Sequence, residues 1–172
     1  EIVGKNQSTS SNGGSLGIMN YHGTIKIRAS VSDSRGRWSD TREVSVTVLE
    51  YFAPALSFNI TRTGSTSSTL TVTRNAKVAP LLISGSQKNS MRLTFKVARL
   101  GTNSYQVDNG PASGSWTSIF NLTNSNANLA GNYLANQSWV VIGTLEDKFT
   151  RTEFVVNVAT ESVVFSYDRS GV

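Results

Sequence analysis

Apolar and polar residues alternate along most of the chain with a period of two, and helical periodicity is nearly absent. Successive side chains of a strand point to opposite faces, so each alternating run buries one face and wets the other. Ile25 to Val31 alternates over its whole length, as does Val44 to Val48. Leu56 to Thr61, Leu70 to Thr73 and Met91 to Val97 follow the same rule. Further candidates are Ser104 to Val107, Trp116 to Leu122, Trp139 to Leu145 and Phe154 to Val158. Between them stand clusters of turn-forming residues: Asn12-Gly13-Gly14-Ser15, Thr63-Gly64-Ser65, Ser84-Gly85-Ser86, Asp108-Asn109-Gly110-Pro111 and Asn124-Ser125-Asn126. Gly, Asn and Ser supply positive φ or side-chain-to-backbone turns. Short strands punctuated in this way predict an all-β fold of the sandwich or barrel type.

One pattern occurs twice. Asp33 aligns with Asp147, which places Ile25, Ile27, Ala29 and Val31 on Trp139, Val141, Gly143 and Leu145. After the turn, Val44, Val46 and Val48 fall on Phe154, Val156 and Val158, with Glu43 and Glu153 just ahead of them. Two strand–Asp–turn–strand hairpins separated in this way fit the last two strands of an immunoglobulin- or fibronectin-III-like β-sandwich of about 100 residues. Enough strands precede the second hairpin to complete such a module, and too few precede the first. The expected organisation has three parts. Residues 1–50 are the closing strands of a truncated module, residues 51–160 are one complete sandwich, and residues 161–172 are an exit strand or linker. The junction Glu50-Tyr51-Phe52-Ala53-Pro54 lacks a Gly-Ser stretch, and Pro54 holds Ala53 extended, which favours a stiff joint.

Composition narrows the function classes. Cysteine is absent and His22 is the one histidine, which removes disulfides, thiolate nucleophiles, Cys-ligated metals and histidine clusters. Ser, Thr and Asn make up about a third of the chain, whereas Asp, Glu, Lys and Arg together reach only 16%. With 38% hydrophobic residues, this is the composition of wet strand faces and turns, not of disorder. It also makes the Asn-x-Ser/Thr sequons at Asn6, Asn59, Asn121 and Asn136 accidents of composition. No window is apolar for long enough to span a membrane.

An ordered set of segments gives a further lead. It comprises Val31-Ser32-Asp33-Ser34-Arg35-Gly36-Arg37, Leu49-Glu50-Tyr51-Phe52-Ala53-Pro54 and the run from Ser68 to Pro80. Gly85-Ser86-Gln87-Lys88-Asn89, Leu145-Glu146-Asp147-Lys148-Phe149 and the exit from Ala159 to Asp168 complete it. Together these segments resemble a family of minor structural proteins of streptococcal siphophages and prophages. The resemblance implies a longer parent in the tail or tail tip of the virion, with Ig-like modules and no established catalytic residues; an oligomeric parent is a further expectation.

Chemistry read from the residues agrees with a non-enzymatic protein. Glu146 and Asp147 are consecutive, so a strand would aim them apart and not as a catalytic pair. His22 sits in a turn-like setting, no nucleophile elbow or phosphate loop occurs, and Glu50 is the one acid at the junction where calcium would be sought. No cofactor or metal is expected. The net charge of +5 favours anionic polymers, which for the streptococcal phage that the resemblance implies would be teichoic acid or host cell-wall polysaccharide, while scattered strand lysines and arginines also guard sheet edges. Arg35, Arg37 and Trp38 at one hairpin tip, with Trp116 and Tyr133, are the candidate surface-contact residues. The expected partners are other phage tail proteins and the host surface, not nucleic acid. Three alternatives stand beside the tail reading: a carbohydrate receptor-binding module, the stalk of a bacterial adhesin, and the accessory module of a glycan hydrolase.

Overall fold

Alternation becomes strand structure almost everywhere it occurs. The structure is a computed structural model that describes residues 1–64 and 66–161; the expected exit strand beyond residue 161 lies outside the described residues. Every regular element described is a β-strand in an antiparallel pairing. The chain divides into two compact units, Glu1–Tyr51 and Phe52–Val172.

The first unit is built on a hairpin of β1 (Gly23–Ala29) and β2 (Arg42–Val48). Ile25 faces Val46 and Ile27 faces Val44 across the ladder, which gathers the apolar side chains on one face. An N-terminal arm lies along the other edge of β1: Glu1 and Arg28 exchange backbone hydrogen bonds, and Ile2 bridges Ile27. Ile2 and Ile25 are the buried hydrophobic residues of this unit. The opposite face is charged, with Glu43 between Lys26 (3.0 Å) and Arg28 (3.2 Å), and Glu1 on Arg28 as well (3.4 Å).

The second unit contains β3 (Ala55–Arg62), β4 (Leu70–Lys77), a small ribbon of β5 (Leu82–Ile83) with β6 (Ser86–Gln87), and β7 (Met91–Arg99). There follow β8 (Gln106–Asp108), β9 (Gly114–Trp116), β10 (Asn121–Asn128), β11 (Trp139–Glu146) and β12 (Arg151–Val158). One sheet has the order β10-β4-β3 and the other β12-β11-β7-β8, with β9 also on β7. Leu70, Val72, Leu93, Phe95, Val141 and Leu145 are buried between them. Phe58 on β3 meets Phe95 and Phe154 edge-on at 5.2 and 5.3 Å, which locks one sheet against the other.

Three expectations are corrected. Trp116 to Leu122 is not one strand: the chain breaks between β9 and β10. Asn124-Ser125-Asn126 is not a terminating turn but lies inside β10, where the register shifts between Leu122 and Ser125 and Asn124 takes φ 44°. That bulge keeps Leu122 on one side of it and Ala127 on the other both packed against the core. The hairpin repeat, finally, is out of step with the ladders. If Val46 corresponds to Val156, then Ile25 corresponds to Val141 and not to Trp139. The two-residue difference is taken up between Ala29, where the β1–β2 ladder stops, and the bridge Ser32–Trp38 beyond it.

Candidate functional site

The tip of the first hairpin is held by one carboxylate. Asp33 Oδ1 accepts the backbone N–H of Arg35 (2.9 Å) and of Arg37 (3.0 Å), and Oδ2 accepts Arg37 Nε (2.7 Å). The Asp33 N–H donates to Arg37 O, the Gly36 N–H donates to Asp33 O, and Gly36 takes the left-handed φ of 74° that this turn needs. These bonds, led by the Arg37 backbone N–H and then its guanidinium, hold the Asp33 carboxyl below its ordinary pKa. Ser39 donates its N–H to Val31 O, and its hydroxyl accepts the Val31 N–H, which closes the base of the tip. Asp147 does the same work in the second hairpin, accepting the N–H of Phe149 (2.8 Å) and Thr150 (2.9 Å). The paired aspartates of the repeat are therefore turn-forming groups.

What the tip presents is an indole and two guanidinium groups. Trp38 is 70% exposed, as is Val31, and Arg35 and Arg37 are both exposed. Arg37 is neutralised by Asp33, whereas the Arg35 side chain has no bonding partner among the described residues. A hydrogen-bonded turn that carries an exposed aromatic and, three residues before it, an uncompensated arginine has the composition of an interaction hot spot. Val31 is the tip residue that pattern reading did not single out, because alternation alone assigns it to a buried face.

The other two candidates are elsewhere. Tyr133 is not a surface residue: it is 8% exposed, its hydroxyl donates to Asp108, and its ring stands edge-on to Trp139 at 5.2 Å. Trp116 is half-buried, packed against the core with its ring over Gly114. Sequence spacing does not show which side of an irregular segment faces inward, which is why both stand among the candidate surface-contact residues. The basic strand pairs are likewise compensated, Lys26 and Arg28 by Glu43, and Arg92 by Glu146 at 3.1 Å; Lys96 lies over the Tyr105 ring at 5.5 Å.

The concave features are shallow. A depression of about 270 Å³ runs over Ala55, Ser57, Asn75, Lys77, Asn121 and their neighbours, with Lys77 its one titratable side chain. A second, of about 320 Å³, wraps the β11–β12 turn, where Asp147 is bonded to the turn backbone and Glu146 to Arg92. Buried charge belongs to the interior of the second unit. Asp108 accepts N–H groups from Gly110, Ala130 and Gly131 as well as the Tyr133 hydroxyl. Arg74 donates to Ala112 O (2.8 Å), Ser125 O (3.2 Å) and Ser125 Oγ (2.8 Å). The two residues clamp the segment that connects β8 to β9.

A family model described as "Siphovirus protein of unknown function (DUF859)" matches residues 1–172. The chain belongs to this siphovirus family. No curated protein matches it. As a siphovirus family member it is a phage protein, and the resemblance noted in its ordered segments is met at the level of the siphophage family.

Proposed function

We propose that this siphovirus chain is a structural part of the phage tail, at the tail tip or a tail fibre, and that it contributes to host attachment by geometry and binding, without catalysis. The observation that carries the reading is the hairpin tip, where Asp33 fixes the turn that carries Arg35 and the Ser32–Trp38 bridge at its base leaves Trp38 exposed. Preorganisation lowers the entropy a contact must offset, and that is the advantage of a built turn over a flexible loop. The second unit would be the scaffold. Its sheet orders, β3-β4-β10 and β12-β11-β7-β8, support reading it as an immunoglobulin-like sandwich, in which they would stand for A-B-E and G-F-C-C′. Siphovirus membership favours this reading over an adhesin stalk. Immunogold labelling of intact virions with antibody against the chain tests it: gold on the tail is expected, and virions without label, or labelled on the head, would overturn it.

A second reading rests on the exposure of both Arg35 and Trp38 on one hairpin tip: the tip itself binds an anionic cell-wall polymer such as teichoic acid on a streptococcal host. Its distinguishing result is retention of the purified chain on host cell walls that is lost in an Arg35→Ala/Trp38→Ala variant. Under the positioning reading the chain does not bind walls by itself, and its partners are other tail proteins.

A further inference from the structure

The three-strand arrangement at one edge of the second unit recurs in the first. In the second unit Phe95 on β7, Gly143 on β11 and Phe154 on β12 form one row across the sheet. In the first unit Ile2 on the arm, Ile27 on β1 and Val44 on β2 form the corresponding row, with the same antiparallel sense at both steps. Glu1–Val3 therefore occupies the place of β7, β1 that of β11, and β2 that of β12.

The cover over the row differs. In the second unit β3 lies across it. The Phe58 ring packs on Phe95 and Phe154, and the sheets are so close at Gly143 that a Cβ there would stand 2.5 Å from the Phe58 ring. In the first unit β1 and β2 form a two-stranded sheet, and no second sheet exists among its described residues. Ile2 and Ile25 are buried, but on β2 Val44 is 62% exposed and Val46 37%. The other face of the hairpin carries the Lys26–Glu43–Arg28 ion pairs, so the two faces are as distinct as in any half-buried sheet. An apolar strand face left in water marks a place where something packs.

We propose that the Val44–Val46 face of β2 seats a second β-sheet, packed as β3 packs on β12, and that this sheet comes from polypeptide preceding Glu1 in the phage protein. The source follows from the strand correspondence. In the second unit the covering strands β3 and β4 precede β7 in the chain, and the segment in the position of β7 is Glu1–Val3. The cover of β2 thus belongs on the N-terminal side of that segment.

The chain has no cysteine, so single cysteines report accessibility cleanly. Val44→Cys and Val46→Cys are to be compared with Ser45→Cys, which points to the opposite face, by alkylation rate in the 172-residue chain and in the full-length phage protein. The expected result is fast reaction at all three sites in the 172-residue chain. In the full protein, reaction at positions 44 and 46 slows at least tenfold and position 45 is unchanged. Equal rates in the two proteins would overturn the proposal. Protection that already exists in the 172-residue chain would also overturn it, and growth of that protection with concentration would assign the cover to a second copy. Hydrogen exchange of the unsubstituted proteins serves if a variant fails to fold: residues 42–48 must exchange more slowly in the full protein, and unchanged exchange refutes the cover.

Discussion

Asp108 is buried, and burial alone would raise its pKa. The N–H groups of Ala130, Gly110 and Gly131 and the hydroxyl of Tyr133 outweigh that and hold it below the ordinary value of 3.8. A carboxylate whose folded pKa is depressed stabilises the fold in full above its ordinary value and loses that contribution as the pH falls through the folded one. The second unit should therefore lose stability below about pH 4. Asp108→Asn, which turns an amide toward donors that need an acceptor, is expected to cost about 3 kcal/mol at neutral pH in urea unfolding. Tyr133→Phe removes one donor, is expected to cost about 1–2 kcal/mol, and should shift the loss in acid to higher pH. The Tyr133 hydroxyl, pushed up by burial and by the neighbouring carboxylate, stays protonated throughout this range. None of this was legible in the sequence. Asp108-Asn109-Gly110-Pro111 reads as a turn, and apart from Gly110 the residues that converge on Asp108 come from more than twenty positions away.

At the level of elements, the legible strands were those whose alternation is unbroken. Met91 to Val97 and Trp139 to Leu145 place Leu93, Phe95, Val141 and Leu145 inward as their pattern requires. The second half of β4 was missed because Arg74 occupies an inward position, and an inward arginine is readable only when its carbonyl acceptors are known. β10 was misplaced because a bulge at Asn124 resets the alternation, so a period-two search finds Asn where the strand continues. Of the candidate surface residues, the sequence shows that Arg35, Arg37 and Trp38 share one exposed hairpin tip, but not that Tyr133 is buried and Trp116 half-buried against the core. The closest approach between the sheets gives a prediction. Gly143→Ala would place its Cβ against the Phe58 and Phe95 rings and so is expected to destabilise the second unit by about 1–3 kcal/mol, measured by denaturant unfolding.

As a whole molecule, the chain pairs a unit with a closed core and a unit with almost none. An isolated hairpin is marginal in water, and among the described residues the first unit adds to its hairpin an arm and the burial of Ile2 and Ile25. Opening free energies follow buried apolar contact, so backbone amides of β1 and β2 are expected to exchange with solvent at least tenfold faster than those of β7 and β11. Hydrogen exchange of the 172-residue chain checks this, and equal protection in the two units would refute it. Such an imbalance suits the proposed tail role, in which one unit would be the scaffold and the other would meet neighbours. The most direct measurement of that role is the adsorption rate of phage carrying Arg35→Ala, Arg37→Ala and Trp38→Ala together, on virions confirmed by electron microscopy to have normal tails. A fall in adsorption of tenfold or more with tail assembly intact is the predicted result; adsorption at the wild-type rate would contradict a role for this tip in attachment.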